Sequence, residues 1–352
     1  MKLAPVVRAL AAHPEIRARI VHTGQHYDPG MNQVFFDELQ IPAPDAHLEV
    51  GSGPHGAQTA RILERYEAHL MKARPAATVV FGDVNSTVAC ALAAVKLGVP
   101  VAHVEAGLRS FDRTMPEEIN RILTDAIAGL LLVSEESGME NLRREGISGD
   151  RVRLVGNVMI DCLSAELSTA RSLQMPARLC FSPEQYGLVT MHRPSNVDDR
   201  MTLERLLRLL HELSTRLALV FPVHPRTRAA AQRFGVEQLL ESSARFNVLP
   251  PLSYRENLGL LADARLVLTD SGGVQEEAAV LKIPCLTLRP NTERPVTVER
   301  GTSRLVGNDP ERIRYAFSDA IEGRWPAGGD IPLWDGHAGE RIAAEISRWV
   351  RS

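Results

Sequence analysis

Short runs of β-branched and apolar residues alternate along the chain with longer stretches whose apolar positions recur at helical spacing. Runs at residues 78–81, 99–104, 130–133 and 153–155 read as one series of strands. A second series lies at 188–190, 217–223, 247–249, 266–269 and 285–288. Stretches at 4–12, 160–172, 202–214, 274–281 and 337–350 carry the period of amphipathic helices. Strands alternating with helices imply βαβ units and parallel sheets, not a sandwich or a bundle. The pattern therefore predicts two doubly wound, Rossmann-like α/β domains facing each other across a cleft. The boundary is expected after the helix at 160–172, where Pro176 and Pro183 punctuate a polar connection to the next strand. This gives an N-terminal domain over 1–172 and a C-terminal domain over 178–334, followed by the helical segment 335–352. A doubly wound domain normally opens on its innermost strand, whereas this chain opens on the helix at 4–12. The first strand of the N-terminal domain is accordingly expected to be missing.

Length supports the division, because 352 residues exceed the ~100 to 200 typical of one domain. A net charge of −3 supplies no basic field for nucleic acid or anionic lipid, although local cations can still hold a small anion. Aromatic residues at 5% leave little for a base-stacking platform. Cys90, Cys162, Cys180 and Cys285 are widely spaced, form no C-x-x-C pair and border apolar runs, so buried free thiols are expected. No stretch reaches the ~18 apolar residues of a membrane helix, and the N-terminus lacks a secretory layout. A cytoplasmic protein without a nucleic-acid or membrane partner is the expectation.

In open parallel sheets ligands lie beyond the carboxyl ends of the strands, so polar residues immediately after each strand are weighed first. They recur here as Gly82-Asp83, Glu105, His192-Arg193, His224 and Asp270-Ser271-Gly272-Gly273. Ser271, Gly272 and Gly273 open a helix whose amides suit a diphosphate, but a lone S-G-G is equally consistent with a tight turn. Glu276 and Glu277 on that helix fit either a ribose diol or simple complementation of the helix dipole. Asp83, Glu105 and the Glu117-Glu118 pair bring carboxylates from neighbouring loops together, as acid and base catalysis requires. No His or Cys spacing of a metal site accompanies them, so no metal is expected. His103 lies within an apolar strand and reads as a satisfied core histidine. Arg109, Arg113 and Arg121 surround the acids and read as ion-pair partners that fix that loop.

Taken together these residues carry a family signature. The segments 22–27 (H-T-G-Q-H-Y), 82–87 (G-D-V-N-S-T), 103–111 (H-V-E-A-G-L-R-S-F), 115–125 (M-P-E-E-I-N-R-I-L-T-D), 269–277 (T-D-S-G-G-V-Q-E-E) and 292–298 (T-E-R-P-V-T-V) resemble the non-hydrolysing UDP-N-acetylglucosamine 2-epimerases. The likeness runs in order from Lys2 to about Gly307. It implies the two-domain GT-B architecture, with UDP held mainly by the second domain and the C-terminal helix packed back on the first. It implies inversion at C2 of the amino sugar by elimination of UDP to a 2-acetamidoglucal and re-addition, without NAD, metal or other cofactor. By resemblance Asp83, Glu105, Glu117 and His192 are catalytic. Lys2, Arg193, Ser271, Gly272, Gly273, Glu277 and Arg294 contact substrate. Gln25, Arg61 and His224, with Arg193, match a second UDP-N-acetylglucosamine site that activates some bacterial members, from which the His26-Tyr27-Asp28 stretch departs. Near uracil, where many members place an aromatic residue, this chain offers Asn257. The family's G-T-R-P-E type loop before Met1-Lys2 is absent. The resemblance also implies a homodimer working in cell-surface polysaccharide biosynthesis. It leaves open N-acetylglucosamine against a diacetamido uronic acid. The competing readings are a GT-B glycosyltransferase and a truncated or inactive UDP-sugar-binding protein.

Overall fold

The computed structural model describes residues 1–25 and 36–351; the His26-Tyr27-Asp28 stretch lies outside them. The chain divides into two compact units, Met1–Cys162 with Pro332–Ser352, and Leu163–Ile331.

In the first unit the parallel strands β3 (Thr78–Phe81), β4 (Val101–Ala106), β5 (Leu130–Val133) and β6 (Val152–Leu154) pair in chain order. Successive side chains of a strand point to opposite faces, and the apolar runs use both. Val80, Val101, Leu131 and Val133 enter one core beneath the helices His55–Ala73 and Asn85–Lys96. Ala102, Val104, Leu130 and Leu132 enter another, shared with the helices Leu3–Leu10 and Ala338–Trp349. The C-terminal helix is fastened there by Asp161, which accepts the first-turn amides of Ala338 (3.1 Å) and Gly339 (2.6 Å) where the helix dipole favours a carboxylate. Two shorter strands, β1 (Val21–His22) and β2 (Ala46–His47), form a separate parallel pair. The chain beyond β1 reaches the chain beyond β3, where Thr23 Oγ1 lies 2.8 Å from Ser86 Oγ, yet no strand among the described residues pairs with both β1 and β3.

The second unit is one six-stranded parallel sheet of β7 (Tyr186–Thr190), β8 (Ala218–Pro222), β9 (Phe246–Leu249), β10 (Leu266–Thr269), β11 (Cys285–Thr287) and β12 (Ser303–Leu305), in the order β12-β11-β10-β7-β8-β9. The same alternation divides Val189, Leu219, Phe221 and Leu268 from Leu188, Val220, Val267 and Cys285 on the opposite face. Strand order reverses between β7 and β10, which is the switch point where doubly wound sheets open a crevice.

Two expectations change. The helix Val158–Ser172 does not end before the second unit begins: Glu166 pairs with Arg255 (2.6 Å), and Gly259 packs on the Ala170 carbonyl, so its latter part belongs with residues 163–331. Cys90, Cys162 and Cys285 are buried and outside any disulfide, but Cys180 is exposed, because the apolar run beside it ends in a turn with Cys180 at φ 60°. Among the described residues no helix is long and apolar enough to cross a membrane.

Candidate active site

The carboxylates of the first unit are presented by backbone that the sheet itself bends. Glu105 sits at a break in the pairing of β4 with β5, between Val104 and Ala106, with φ at 75°. A non-glycine residue held there is strained, a feature that concentrates at functional sites. Its side chain is buried and ion-paired with Lys2. Gly82 lies against both, since a Cβ at this position would stand 3.0 Å from Lys2 Nζ and 3.3 Å from Glu105 Oε2. Asp83 follows directly, its carboxylate partly exposed and held by Arg121 Nε at 2.9 Å, while Asn120 Nδ2 fixes its carbonyl at 2.9 Å. Glu117 stands in the first turn of the helix Pro116–Ile127.

The Glu117-Glu118 pair is divided in role. Glu118 is buried and accepts from Ser110 N (2.9 Å), Ser110 Oγ (3.0 Å) and Phe111 N (2.9 Å), and it pairs with Arg121. It shapes the loop and has little capacity left for acid and base work. Arg109 and Arg121 are ion-pair partners within this region, and Arg113 is exposed.

Beneath the acids lies a buried cluster. His103 Nδ1 meets Asp125 Oδ1 at 2.7 Å, and Nε2 meets the Gly82 carbonyl at 2.8 Å. Both ring nitrogens are therefore occupied, one facing a carboxylate and the other a carbonyl. Asp125 also accepts from Gly107 N (3.0 Å) and Arg109 Nη1 (2.7 Å). Burial works to raise the Asp125 pKa, but His103 and Arg109 outweigh it and hold the group below its ordinary value. His103 is thus a satisfied core histidine, and the cluster joins the exits of β3 and β4 to the helix that carries Glu117.

The second unit assembles its polar groups where β7 and β10 end. Asp270 is fully buried and accepts from His192 N (2.9 Å), Arg193 N (2.8 Å) and Asn196 Nδ2 (3.0 Å). His192 Nδ1 lies 3.3 Å from Asp270 Oδ1, and its ring stacks on His224 with centroids 4.9 Å apart. Burial lowers the His192 pKa against the pull of Asp270, with Arg193, Arg226 and Arg289 adding to the lowering. His224 is also lowered, by burial and then by His192. Its Nδ1 accepts from Arg226 N at 3.1 Å, which fixes the tautomer with the proton on Nε2. Ser271 is the N-cap of the helix Gly272–Leu281, so the amides of Gly272 and Gly273 open that helix at its positive end.

Glu276 and Glu277 are both buried. Glu276 pairs with Arg294. Burial, with a contribution from Glu276 and opposition from the Tyr254 hydroxyl, pushes Glu277 up to about 8. Asn257 turns its amide back onto the carbonyls of Leu252 (3.2 Å) and Ser253 (3.1 Å). The residues expected at a second sugar-nucleotide site divide between the units. In the first, Gln25 Oε1 accepts from Ser86 N (3.0 Å) and Oγ (2.6 Å), and Arg61 donates to the carbonyls of Val50 and Ser52. In the second are Arg193 and His224. No group of three or more His, Cys, Asp or Glu residues among the described ones is arranged to hold a metal.

Tyr254, Arg289 and Glu293 were not singled out from the sequence. Arg289 directly follows the apolar run at 285–288 and so bore the signal; Tyr254 and Glu293 are brought in only by tertiary packing.

Two units, each built on a parallel sheet with polar groups at its strand ends, define a two-domain α/β protein of the Rossmann-like class. The family model for UDP-N-acetylglucosamine 2-epimerase matches residues 8–347, and the chain belongs to that family. The UDP-N-acetylglucosamine 2-epimerase of Methanocaldococcus jannaschii is 43% identical over 97% of this chain and 94% of its own length. The UDP-2,3-diacetamido-2,3-dideoxy-D-glucuronate 2-epimerase of Pseudomonas aeruginosa is 41% identical over 99% of this chain and 96% of its own. The crystal structure of the Methanocaldococcus jannaschii enzyme in complex with UDP-GlcNAc and UDP matches with a TM-score of 0.92 at 42% identity, covering 99% of this chain and 96% of that one.

Proposed function

We propose that this protein inverts C2 of UDP-N-acetylglucosamine to give UDP-N-acetylmannosamine. One carboxylate among Asp83, Glu105 and Glu117 removes the C2 proton, the electron pair forms the C1–C2 double bond, and the C1–O bond to the diphosphate breaks. The products of that step are 2-acetamidoglucal and UDP. In the return step a diphosphate oxygen bonds to C1, and a protonated carboxyl delivers a proton to the opposite face of C2. Ser271, Gly272 and Gly273, with Arg193 and Arg294, receive the diphosphate, where fixed dipoles and charges stabilise the departing anion. His192, whose burial disfavours the imidazolium form, is suited to donate a hydrogen bond to a phosphate oxygen. Glu277 takes the ribose hydroxyls.

The observation that carries the reading is the backbone strain at Glu105, which turns a buried carboxylate toward Gly82 and Lys2 beside Asp83. Acid-base chemistry on a carbon uses such a group. A glycosyltransferase would need room there for its acceptor. Incubation with UDP-N-acetylglucosamine in heavy water is the test. Deuterium at C2 of the recovered nucleotide sugars is expected, and sugar transfer or hydrolysis without exchange would overturn the proposal. The 41% identity to the Pseudomonas aeruginosa enzyme favours a second substrate, the UDP-linked diacetamido uronic acid, by the same chemistry. Running both sugars through the exchange assay separates them.

A further inference from the structure

Arg294 is the arginine that motif likeness assigns to the substrate, yet its guanidinium is paired with the buried carboxylate of Glu276. A second arginine of this segment, Arg289, has hydrogen-bonding capacity to spare. Arg289 lies just beyond the end of β11 and is 4% exposed. Its Nη2 donates to Glu293 Oε2 at 2.7 Å, whereas its Nη1 is buried and has no hydrogen-bond partner among the described residues. Leaving a buried charged donor unsatisfied is costly, so such a group in a native fold calls for an explanation.

Its surroundings supply one. Glu293, which grips Arg289, also lies against the first residue of the glycine-opened helix: a Cβ on Gly272 would stand 2.8 Å from Glu293 Oε1. The backbone around Arg289 is tied into the His192 region, because Asn196 Nδ2 is shared between Asp270 Oδ2 (3.0 Å) and the Leu288 carbonyl (2.9 Å). Arg289 is near enough to His192 for its charge to act on that ring. The unpartnered guanidinium nitrogen therefore belongs to the same corner of the second unit as the helix N-terminus and His192.

We infer that Arg289, held by Glu293, is a further anion-binding residue for the nucleoside diphosphate, its Nη1 completing with the Gly272 and Gly273 amides a clamp for phosphate oxygens. The inference rests on the nucleotide reading of this site given above. A planar guanidinium anchored through one nitrogen presents the other in a fixed direction, which suits a phosphate oxygen better than a mobile ammonium would.

The test compares UDP with uridine, which shares the base and ribose but lacks the phosphates. Affinities of both are measured by NMR titration for the wild type, Arg289→Gln and Arg289→Lys. The wild type is expected to prefer UDP. That preference falls at least tenfold in Arg289→Gln with uridine affinity nearly unchanged, and Arg289→Lys, which keeps the charge and is the gentler change to the buried site, loses part of it. A merely structural role weakens UDP and uridine together and leaves their ratio intact, and that result in either folded variant overturns the inference. If the wild type exchanges deuterium at C2 while the ratio is unmoved, the epimerase reading stands without the Arg289 clamp. If exchange fails but the UDP preference collapses in the variants, the clamp stands without the epimerase reading.

Discussion

Glu277 shows how one buried side chain couples ligand binding to pH. Its pKa is raised to about 8, chiefly by burial, so the folded protein holds a proton that the unfolded chain releases near the ordinary carboxylate pKa. Between those values the native state binds more protons than the unfolded state, and stability falls as pH rises through the window. Above about 8 the carboxylate is ionised in both states and the loss is complete. Glu277→Gln, neutral throughout, should remove this component of the pH dependence. It should be more stable than the wild type by about 1–3 kcal/mol at pH 9, read from thermal melts of the free protein. If the ionised form receives the ribose hydroxyls, UDP binding below pH 8 releases a proton, and calorimetry in buffers of different ionisation heat will record it.

Asp270 makes a contrasting case, a carboxylate whose burial is matched by donors. It joins the exit of β10 to that of β7 through two backbone amides and Asn196, and it faces the His192 ring. Asp270→Ala removes the acceptor for those amides and should cost about 3 kcal/mol in urea denaturation, with kcat lowered about 100-fold as His192 loses its seat. Asp270→Asn isolates the charge. Because Asp270 acts to raise the His192 pKa against burial, its loss should move the His192 titration, followed by NMR, to lower pH.

At the scale of elements, two glycines set the distance between β4 and the helix Glu136–Arg144. Gly107 has φ 81°, and a Cβ there would lie 2.4 Å from the Gly138 carbonyl oxygen. One on Gly138 would lie 2.6 Å from Val133 Cγ1. This contact lies two residues beyond Glu105 and backs the bend that presents it. Gly138→Ala should cost about 1–3 kcal/mol in chemical denaturation through overpacking, and Gly107→Ala more, since it adds a left-handed backbone penalty. Both should lower kcat by shifting Glu105.

Elements also show what the sequence could reveal. Strands β3, β5 and β10 fall where the apolar runs place them, because strands buried on both faces read as near-continuous apolar stretches. Strands β1, β2 and β12 were not foreseen: β1 and β2, of two residues each, are too short to show a period, and β12 is a Ser-Arg-Leu segment with no apolar run. The site divides in the same way. Residues that directly follow a strand, such as Asp83 and His192, are visible from the chain alone. The positive φ of Glu105 and the engagement of Glu118 by Ser110 and Phe111 are not, because they arise from a break in strand pairing and from a loop folding back on its helix. Cys180 shows the opposite failing: apolar neighbours in sequence did not make it a core residue.

At the scale of the whole molecule, each unit has its own sheet and its own pair of cores, one on each face. Each therefore has the means to unfold as a cooperative body, and the tryptophans are placed to report on them separately. Trp325 lies in the second unit, where Arg304 stacks on its ring at 4.0 Å and its Nε1 donates to the Thr302 carbonyl at 2.8 Å. Trp334 and Trp349 lie in the segment 332–352 that belongs to the first, with Trp334 Nε1 bonded to the Ser134 carbonyl at 3.1 Å. Every group proposed to receive the diphosphate is in the second unit. UDP without its sugar should therefore stabilise the Trp325 transition selectively, by about 2.7 kcal/mol at one hundred times its dissociation constant. Urea titrations of a Trp325-only variant, with Trp334 and Trp349 changed to Phe, and of the converse variant, with only Trp325 changed to Phe, measure the two shifts. Equal shifts would mean that the units unfold as one body or that UDP draws comparable energy from the first unit.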